Sequence, residues 1–215
     1  MSQFHAVLFD MDGVLVDSEE HWHRLWRDVV FPLVDADLSV DAVTGRSFEE
    51  TLVELERRHG LADDRLAVES RLRDAGERIY ADHVTLTPQL SALVETIRDQ
   101  DISVGIVSSS PRPWIEHVVE RFDLGPMDVL VSAEDVDAPG KPAPHVYERA
   151  AESLEVDPTD CLVVEDSESG VAAAAAAGAT VIRFQRSGVA EPLPDADSTA
   201  PDPAALRTTV TGYLE

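Results

Sequence analysis

The sequence is poor in cysteine, in lysine and in positive charge. Its 215 residues contain one cysteine, Cys161, and one lysine, Lys141. A single cysteine excludes an internal disulfide, and its position in an apolar run indicates a small buried side chain rather than a catalytic thiol. Seventeen basic residues stand against 42 acidic ones, and the net charge of -25 would repel both nucleic acid and anionic lipid. We therefore expect no nucleic-acid and no membrane partner.

Long apolar runs are also missing. Runs such as CLVV before Glu165 are far shorter than the roughly 20 residues that cross a bilayer. The first residues show no basic region followed by an apolar run, as a secretion signal would. These features, with the single cysteine, favour a cytoplasmic protein.

The residues that are present predict a globular α/β protein. The hydrophobic share of 44% and the charged share of 27% are typical of such folds. Short apolar runs that end in polar or glycine residues alternate with helical patterns, which predicts a Rossmann-like parallel sheet. The predicted strands are Ala6 to Asp10, Ile102 to Val107, Val129 to Val131, Cys161 to Val164 and Thr180 to Phe184.

Helices are expected between these strands. Pro88 and Pro113 suit the first turns of two of them, and residues 170–177 form a third that Gly178 ends. Residues 192–203 are expected to be a loop, followed by a short final helix.

One long segment, residues 17–81, shows helical patterns and no convincing strand. We interpret it as an inserted α-helical cap domain, and residues 1–16 and 82–215 as the core domain. Within the cap, Ser47 and Glu50 have the spacing of a capping box.

Two acidic pairs follow predicted strands. Asp10 and Asp12 come after the first strand, and Glu165 and Asp166 after the fourth. Ligands of an open parallel sheet bind beyond the carboxyl ends of its strands, where these side chains would meet. Carboxylates so close repel one another unless a cation or a proton intervenes. Hard oxygen ligands favour Mg²⁺, whereas one acidic pair alone would more often be a solvated turn.

Polar residues that follow other predicted strands could bind an anion. Every other basic residue that counts toward the 17 is arginine, so Lys141 indicates a place that needs a compact ammonium. The alternative is chance survival in an exposed GKPAP turn. Ser108 and Ser109 follow the second strand, where the Ser108 hydroxyl could hold a phosphoryl oxygen or could instead cap a helix.

Four segments together resemble the motifs of the haloacid-dehalogenase superfamily: DMDGVLVDS, IVSSS, GKPAPHVY and VVEDSESGVAAAAAAG. The cap position is similar to that of the subfamily with phosphoglycolate phosphatase and β-phosphoglucomutase. The resemblance implies a Mg²⁺-dependent phosphatase that acts on a small phosphorylated metabolite, such as a sugar phosphate or phosphoglycolate. Asp10 would attack phosphorus to form an aspartyl phosphate, and Asp12 would act as acid and then as base.

The resemblance also implies roles for the remaining residues. Mg²⁺ would be held by Asp10, Asp166, Glu165 and the backbone carbonyl of Asp12. Lys141 and Ser108 would complete the catalytic set around the phosphoryl group. The residues expected to contact substrate are Ser109, Gly45, Arg46 and Trp22.

Other functions remain open at this point. A mutase of the same family would use a cap histidine and an arginine to grip a second phosphate, and these positions fall at Trp22 and Phe48. His21, His23 and Arg46 lie close enough in sequence for an alignment slip, but a hydrolase is favoured. Asp12 argues against a dehalogenase, and the intact acid pair argues against a catalytically silent binding protein. The sequence does not indicate an oligomeric state.

The spread of acidic residues along the whole chain is similar to that of proteins from salt-loving organisms, so we expect adaptation to high salt. Salt screens repulsion between surface carboxylates. The melting temperature should therefore rise from low to molar KCl, as followed by circular dichroism. A melting temperature that does not rise would contradict this expectation.

Overall fold

The computed structural model describes residues 3–40, 43–44, 46–186 and 192–215. At its centre lies a six-stranded parallel sheet with the order β3-β2-β1-β4-β5-β6. The strands are β1 (Ala6–Phe9), β2 (Ser103–Ser108), β3 (Val129–Ser132), β4 (Cys161–Glu165), β5 (Thr180–Phe184) and β6 (Ser198–Ala200). The five predicted strands are therefore confirmed, with ends that differ by at most one residue.

Within the described residues the α-helices are α1 (Glu19–Leu25), α2 (Phe48–His59), α3 (Arg65–Arg78), α4 (Leu90–Arg98), α5 (Arg112–Arg121), α6 (His145–Ser153), α7 (Glu168–Ala177) and α8 (Pro203–Leu214). Helices α4 to α8 alternate with or follow the strands, as the sequence predicts. Helix α7 ends at Gly178, whose φ of 94° is the left-handed conformation that glycine adopts readily.

The prediction for residues 192–203 was wrong in part. Strand β6 lies inside the segment expected to be a loop, and α8 has 12 residues rather than forming a short helix. The strand carries no apolar run. It is aligned at the sheet edge by Asp197, whose backbone N–H donates to the carbonyl of Val181 and whose carboxylate accepts from the Val181 N–H at 2.8 Å.

The described residues between β1 and α4 form helices joined by short connections, and the described part of residues 19–83 is called the helical insert below. It contains α1 to α3 and two π-helical turns, Trp26–Val30 and Ile79–His83. The two connections to the insert are tied together, because the N–H and hydroxyl of Thr85 each donate to the Asp17 carboxylate at 2.5 Å.

Only half of the predicted capping box is present. The Ser47 hydroxyl accepts from the Glu50 N–H at 3.4 Å and so caps α2. The Glu50 carboxylate, however, accepts from the N–H of Gly140 at 3.3 Å rather than from the cap residue. A contact across 90 residues has therefore replaced a local one.

Apolar side chains form one cluster on each face of the sheet, because successive strand residues alternate between faces. The larger cluster runs without interruption from the sheet into the helical insert. Trp114 of α5 joins the two parts, since its ring lies 5.2 Å from the ring of Tyr80 and 5.6 Å from those of Phe48 and Trp22. A Cβ atom built on Gly76 would lie 2.4 Å from the Trp114 ring, so α3 needs a glycine there.

Among the described residues no helix combines the length and the apolar character that a bilayer span requires.

The close approach of Gly76 to Trp114 predicts a stability difference between two glycine substitutions. Gly76→Ala should lower the free energy of unfolding by about 1–3 kcal/mol, because the methyl group overpacks the ring. Gly212→Ala in α8 is the matched control, since its added Cβ meets nothing within 4 Å. It should raise stability by up to about 1 kcal/mol through helix propensity. Urea unfolding measures both, and equal effects would contradict the packing argument.

Candidate active site

Three chain segments place charged groups at the carboxyl ends of the parallel strands. Asp10 follows β1, Glu165 ends β4, and Lys141 lies between β3 and α6. The Lys141 ammonium donates to Asp10 Oδ1 at 2.5 Å, to Glu165 Oε1 at 2.6 Å and to the Val107 carbonyl at 3.3 Å. Because the strands are parallel, their carboxyl ends bring these residues together from distant parts of the sequence.

Lys141 is buried, with only 4% of its surface exposed, so it does not belong to an exposed turn. Burial disfavours the ammonium, but the neighbouring Asp10 and Glu165 carboxylates raise the pKa of Lys141 well above its usual value. The Tyr147 hydroxyl adds a hydrogen bond to Glu165 Oε1 at 2.7 Å. The lysine is therefore a permanent cation enclosed by carboxylates.

Carboxylate oxygens of Asp10, Glu165 and Asp166 lie within 4.8 Å of one another. Burial raises the pKa of both Asp10 and Asp166 well above the usual range, and the negative charge of Glu165 adds to the effect. One ammonium cannot balance three carboxylates. The donor set and its excess negative charge suit a divalent cation, and these residues could hold one.

Two glycines make room for this acidic cluster. Gly13 has a φ of 77°, and a Cβ atom built on it would lie 1.8 Å from Asp166 Oδ2. A Cβ atom on Gly170, at the start of α7, would lie 1.9 Å from Glu165 Oε1. Any larger residue at either place would displace a carboxylate.

The Asp12 carboxylate lies apart from the acidic cluster and accepts hydrogen bonds instead. Tyr80 donates to Oδ1 at 2.5 Å, Ser110 donates to Oδ2 at 2.8 Å, and Ser18 also donates to Oδ1. The family resemblance assigns only the backbone carbonyl of Asp12 to the metal, and this role of the carbonyl stays a prediction.

The serines after β2 differ in position. Ser108 is fully buried, and its hydroxyl accepts from the Ser110 N–H at 3.0 Å and lies 3.4 Å from Asp12 Oδ2. It does not cap α5, which begins after Pro111. Ser109 and Ser110 line the cavity described next. Between Ser108 and Ser110, the hydroxyl closer to Asp12 is that of Ser110, which sequence reasoning did not single out.

A cavity of about 650 Å³, open to solvent, lies over these residues. Its lining comprises Asp10, Asp12, Ser18, Glu19, Trp22, His23, Trp26, Val43, Thr44, Arg46, Phe48, Ser109, Ser110, Asp166 and Ser167. The insert and the carboxyl ends of the strands thus both contribute to the wall. Trp22 and Arg46 are in it, and their contact with substrate stays a prediction. Gly45 lies outside the described residues.

The insert side of the cavity is lined by aromatic rings. Arg46, the one arginine among the described lining residues, forms an ion pair. The rings of Trp22 and Phe48 stack with their centres 5.7 Å apart. Arg46 Nη1 lies 2.6 Å from Glu54 Oε2. His23 Nε2 is 3.0 Å from the Thr44 hydroxyl, whereas His21 stacks on His83, so the two histidines face different surroundings.

Comparison with known proteins gives a consistent result. The family model of haloacid dehalogenase-like hydrolases matches residues 4–178. Hexitol phosphatase B of Escherichia coli is 35% identical over 185 residues, which cover 81% of each chain. Validoxylamine A 7'-phosphate phosphatase of Streptomyces hygroscopicus is 31% identical over 95% of this chain and 96% of its own. β-Phosphoglucomutase of Bacillus subtilis is 28% identical over 80% of each chain.

The fold is shared with solved structures. A hydrolase from Pseudomonas syringae superposes with a TM-score of 0.81 over 98% of this chain and 99% of its own, at 22% identity. The α/β architecture with a helical insert after β1 is therefore that of known proteins.

The raised pKa of Asp166 predicts a pH-dependent stability effect in metal-free protein. A carboxyl whose folded pKa lies above its unfolded value stabilises the fold when protonated, and this contribution is lost as the pH rises through the folded pKa. In EDTA at neutral pH, Asp166→Asn should therefore raise the melting temperature by a few degrees. The gain should shrink as the pH falls toward 4, the usual carboxyl value.

The control for this experiment is Asp28→Asn, an exposed substitution that removes the same charge. It separates local repulsion from relief of the overall negative charge. Added Mg²⁺ should raise the melting temperature of the wild type and of Asp28→Asn but not of Asp166→Asn. Equal responses of the three proteins would argue against a metal site at the acidic cluster.

Proposed function

The chain belongs to the haloacid dehalogenase-like hydrolase family and is a phosphoric monoester hydrolase, and we propose that it removes phosphate from a sugar or polyol monophosphate with Asp10 as nucleophile. The observation that carries the proposal is the Lys141 ammonium, which fixes the buried Asp10 carboxyl at the floor of the cavity. A nucleophile needs a fixed orientation toward the reacting atom.

The first step would be attack of an Asp10 carboxylate oxygen on phosphorus. Lys141 holds Oδ1, which leaves Oδ2 as the attacking atom. A P–O bond to Asp10 forms while the ester P–O bond breaks, and the leaving alkoxide takes a proton from the Asp12 carboxyl. The products of this step are the free alcohol and an aspartyl phosphate.

The second step would return the enzyme to its starting state. Asp12, now a carboxylate, takes a proton from water, and the water oxygen attacks the phosphorus of the aspartyl phosphate. The P–O bond to Asp10 breaks, which releases inorganic phosphate and restores the carboxylate. Ser109 lines the cavity, and its hydroxyl can donate to a phosphoryl oxygen. The Ser110 hydroxyl donates to Asp12, and Ser108 orients Ser110 by accepting from its N–H.

The cofactor in this proposal is Mg²⁺, held by Asp10, Glu165, Asp166 and the Asp12 carbonyl. When bound, it would supply positive charge opposite the phosphoryl oxygens. What supports it is the excess of carboxylate over ammonium in the acidic cluster.

The cavity wall favours a substrate whose far end is uncharged. Aromatic rings suit the apolar C–H faces of a sugar, and Thr44 and His23 can bond its hydroxyl groups. Arg46 is already neutralised by Glu54, so a second phosphate would have to break that ion pair. In the simplest register, the histidine and the arginine of the mutases fall at Trp22 and Phe48, which are uncharged stacked rings. Hydrolysis of a monophosphate is therefore preferred to a phosphomutase reaction.

The same proposal includes the organisation of the chain and its setting. Residues 17–81 would form the cap domain over a core of residues 1–16 and 82–215, hinged where Asp17 and Thr85 are bonded. The negative charge of the chain and its single, buried cysteine support a cytoplasmic enzyme without a nucleic-acid partner.

A test of the proposal is release of inorganic phosphate from a panel of phosphate esters, with Mg²⁺ or with EDTA. The panel comprises hexitol and hexose 6-phosphates, phosphoglycolate and a hexose bisphosphate. We expect Mg²⁺-dependent release, with the highest kcat/KM for a hexitol or hexose monophosphate. Asp10→Asn should lower the rate at least about 10³-fold, because the covalent route is lost, while Asp28→Asn should retain it.

A trapped intermediate provides a second measurement. Acid quenching during turnover should leave one phosphoryl group on the wild type, detected by mass spectrometry, and none on Asp10→Asn. Interconversion of sugar monophosphates that needs a bisphosphate primer, without release of phosphate, would instead establish the mutase.

A further inference from the structure

Tyr80 connects the helical insert to Asp12. It belongs to the π-helical turn Ile79–His83 and is fully buried. Its hydroxyl lies 2.5 Å from Asp12 Oδ1, although the two residues are 68 positions apart in the sequence. Asp12, which is proposed to transfer protons, therefore meets the insert, which is proposed to cover the substrate, at this contact.

The direction of the Tyr80 hydrogen bond follows from its other partners. The indole Nε1–H of Trp22 can only donate, and it donates to the Tyr80 oxygen at 2.8 Å. The single proton of Tyr80 is then available to Asp12, while Ser110 lies at a longer 3.2 Å.

Both ends of Tyr80 are immobilised. Its ring stacks on Trp114 at 5.2 Å, and its backbone carbonyl accepts from Arg121 Nη1 at 2.8 Å. Trp114 and Arg121 both belong to α5, which follows β2. The insert thus presents the Tyr80 hydroxyl to Asp12 from a fixed position on the core.

We propose that Tyr80 is a positioning residue for the acid and base chemistry of Asp12, and that Trp22 in the cavity wall orients Tyr80 in turn. The chain of hydrogen bonds runs from the indole N–H to the phenol and from the phenol to the carboxyl group. Asp12 is held from both sides, because Ser110 of the core bonds its other oxygen at 2.8 Å. Ser18 also donates to Oδ1, but the bond from Tyr80 forms only when the insert is packed on the core. This inference rests on the proposed function, which gives Asp12 its role.

The proposal makes the effect of Tyr80 depend on the leaving group. A sugar alkoxide is strongly basic and needs a proton as it departs, whereas p-nitrophenolate is weakly basic and departs without one. The quantity kcat/KM reports the steps up to release of the first product, so later hydrolysis of the aspartyl phosphate does not enter it. A defect in proton donation will therefore appear with the sugar ester and not with p-nitrophenyl phosphate.

The experiment compares Tyr80→Phe with the wild type, with Mg²⁺ present, on a sugar monophosphate and on p-nitrophenyl phosphate. For Tyr80→Phe we expect kcat/KM to fall about 10- to 100-fold on the sugar ester and less than about 3-fold on the aryl ester. Asp12→Asn should show the same selectivity with a larger loss. Tyr213→Phe is the matched control, since its ring packs against Phe4 in another part of the described structure, and it should change neither value.

Trp22→Phe tests the second link, because phenylalanine keeps an aromatic ring but lacks the N–H. It should produce the same selectivity with a smaller loss on the sugar ester. In the Tyr80→Phe background it should add little, since the bond that it breaks is already absent. This variant also provides an answer if Tyr80→Phe does not fold, as judged by circular dichroism.

Equal losses on both esters in Tyr80→Phe would overturn the proposal and leave Tyr80 a packing residue. If Asp12→Asn discriminates between the esters but Tyr80→Phe does not, the positioning role fails while the phosphatase function stands. If the wild type releases phosphate from neither ester, the proposed function fails and the positioning role fails with it.

Discussion

The site depends on one buried arrangement of charge, the Lys141 ammonium between the carboxylates of Asp10 and Glu165. Removing either carboxylate would leave a buried cation partly unpaired, and removing the lysine would leave mutually repelling anions, so each member requires the others. The close packing around these three residues also follows from the buried charges. Gly170 is needed because the Glu165 carboxylate occupies the space of a side chain, and Tyr147 satisfies an oxygen that water cannot reach.

The core of this site could be predicted because sheet geometry makes distant residues neighbours in a regular way. Once the strands are recognised by their apolar runs, the residues at their carboxyl ends must lie on the same side of the parallel sheet. Asp10, Lys141 and Glu165 do lie there. The same logic has a limit, since it indicates which residues meet but not which atom faces which. It could not show that Ser108 would be buried beneath Ser110, or that the Asp12 carboxylate would turn away from the acidic cluster.

The insert was predicted less completely, because its contacts with the core follow no periodicity. Glu50 satisfies the spacing of a capping box, yet its carboxylate bonds to Gly140, which the local pattern cannot reveal. Tyr80 carried no signal at all, since a tyrosine at the end of a helical segment is indistinguishable from one that fills a core. Strand β6 was missed for a related reason, as edge pairing through Asp197 replaced the apolar run by which strands are recognised.

Aromatic packing and chemistry are combined in the same few residues of the insert. Trp22 contributes its ring to the cavity wall and its N–H to Tyr80, so substrate recognition and the orientation of Asp12 share one side chain. Trp114 of the core packs against both Trp22 and Tyr80. Because its ring also approaches α3 closely, that helix carries Gly76 at the point of contact. A charged residue at Trp22 or Phe48 would interrupt this stack as well as change what the cavity binds. Monophosphate selectivity and placement of the proton donor are therefore constrained together, and neither can change without the other.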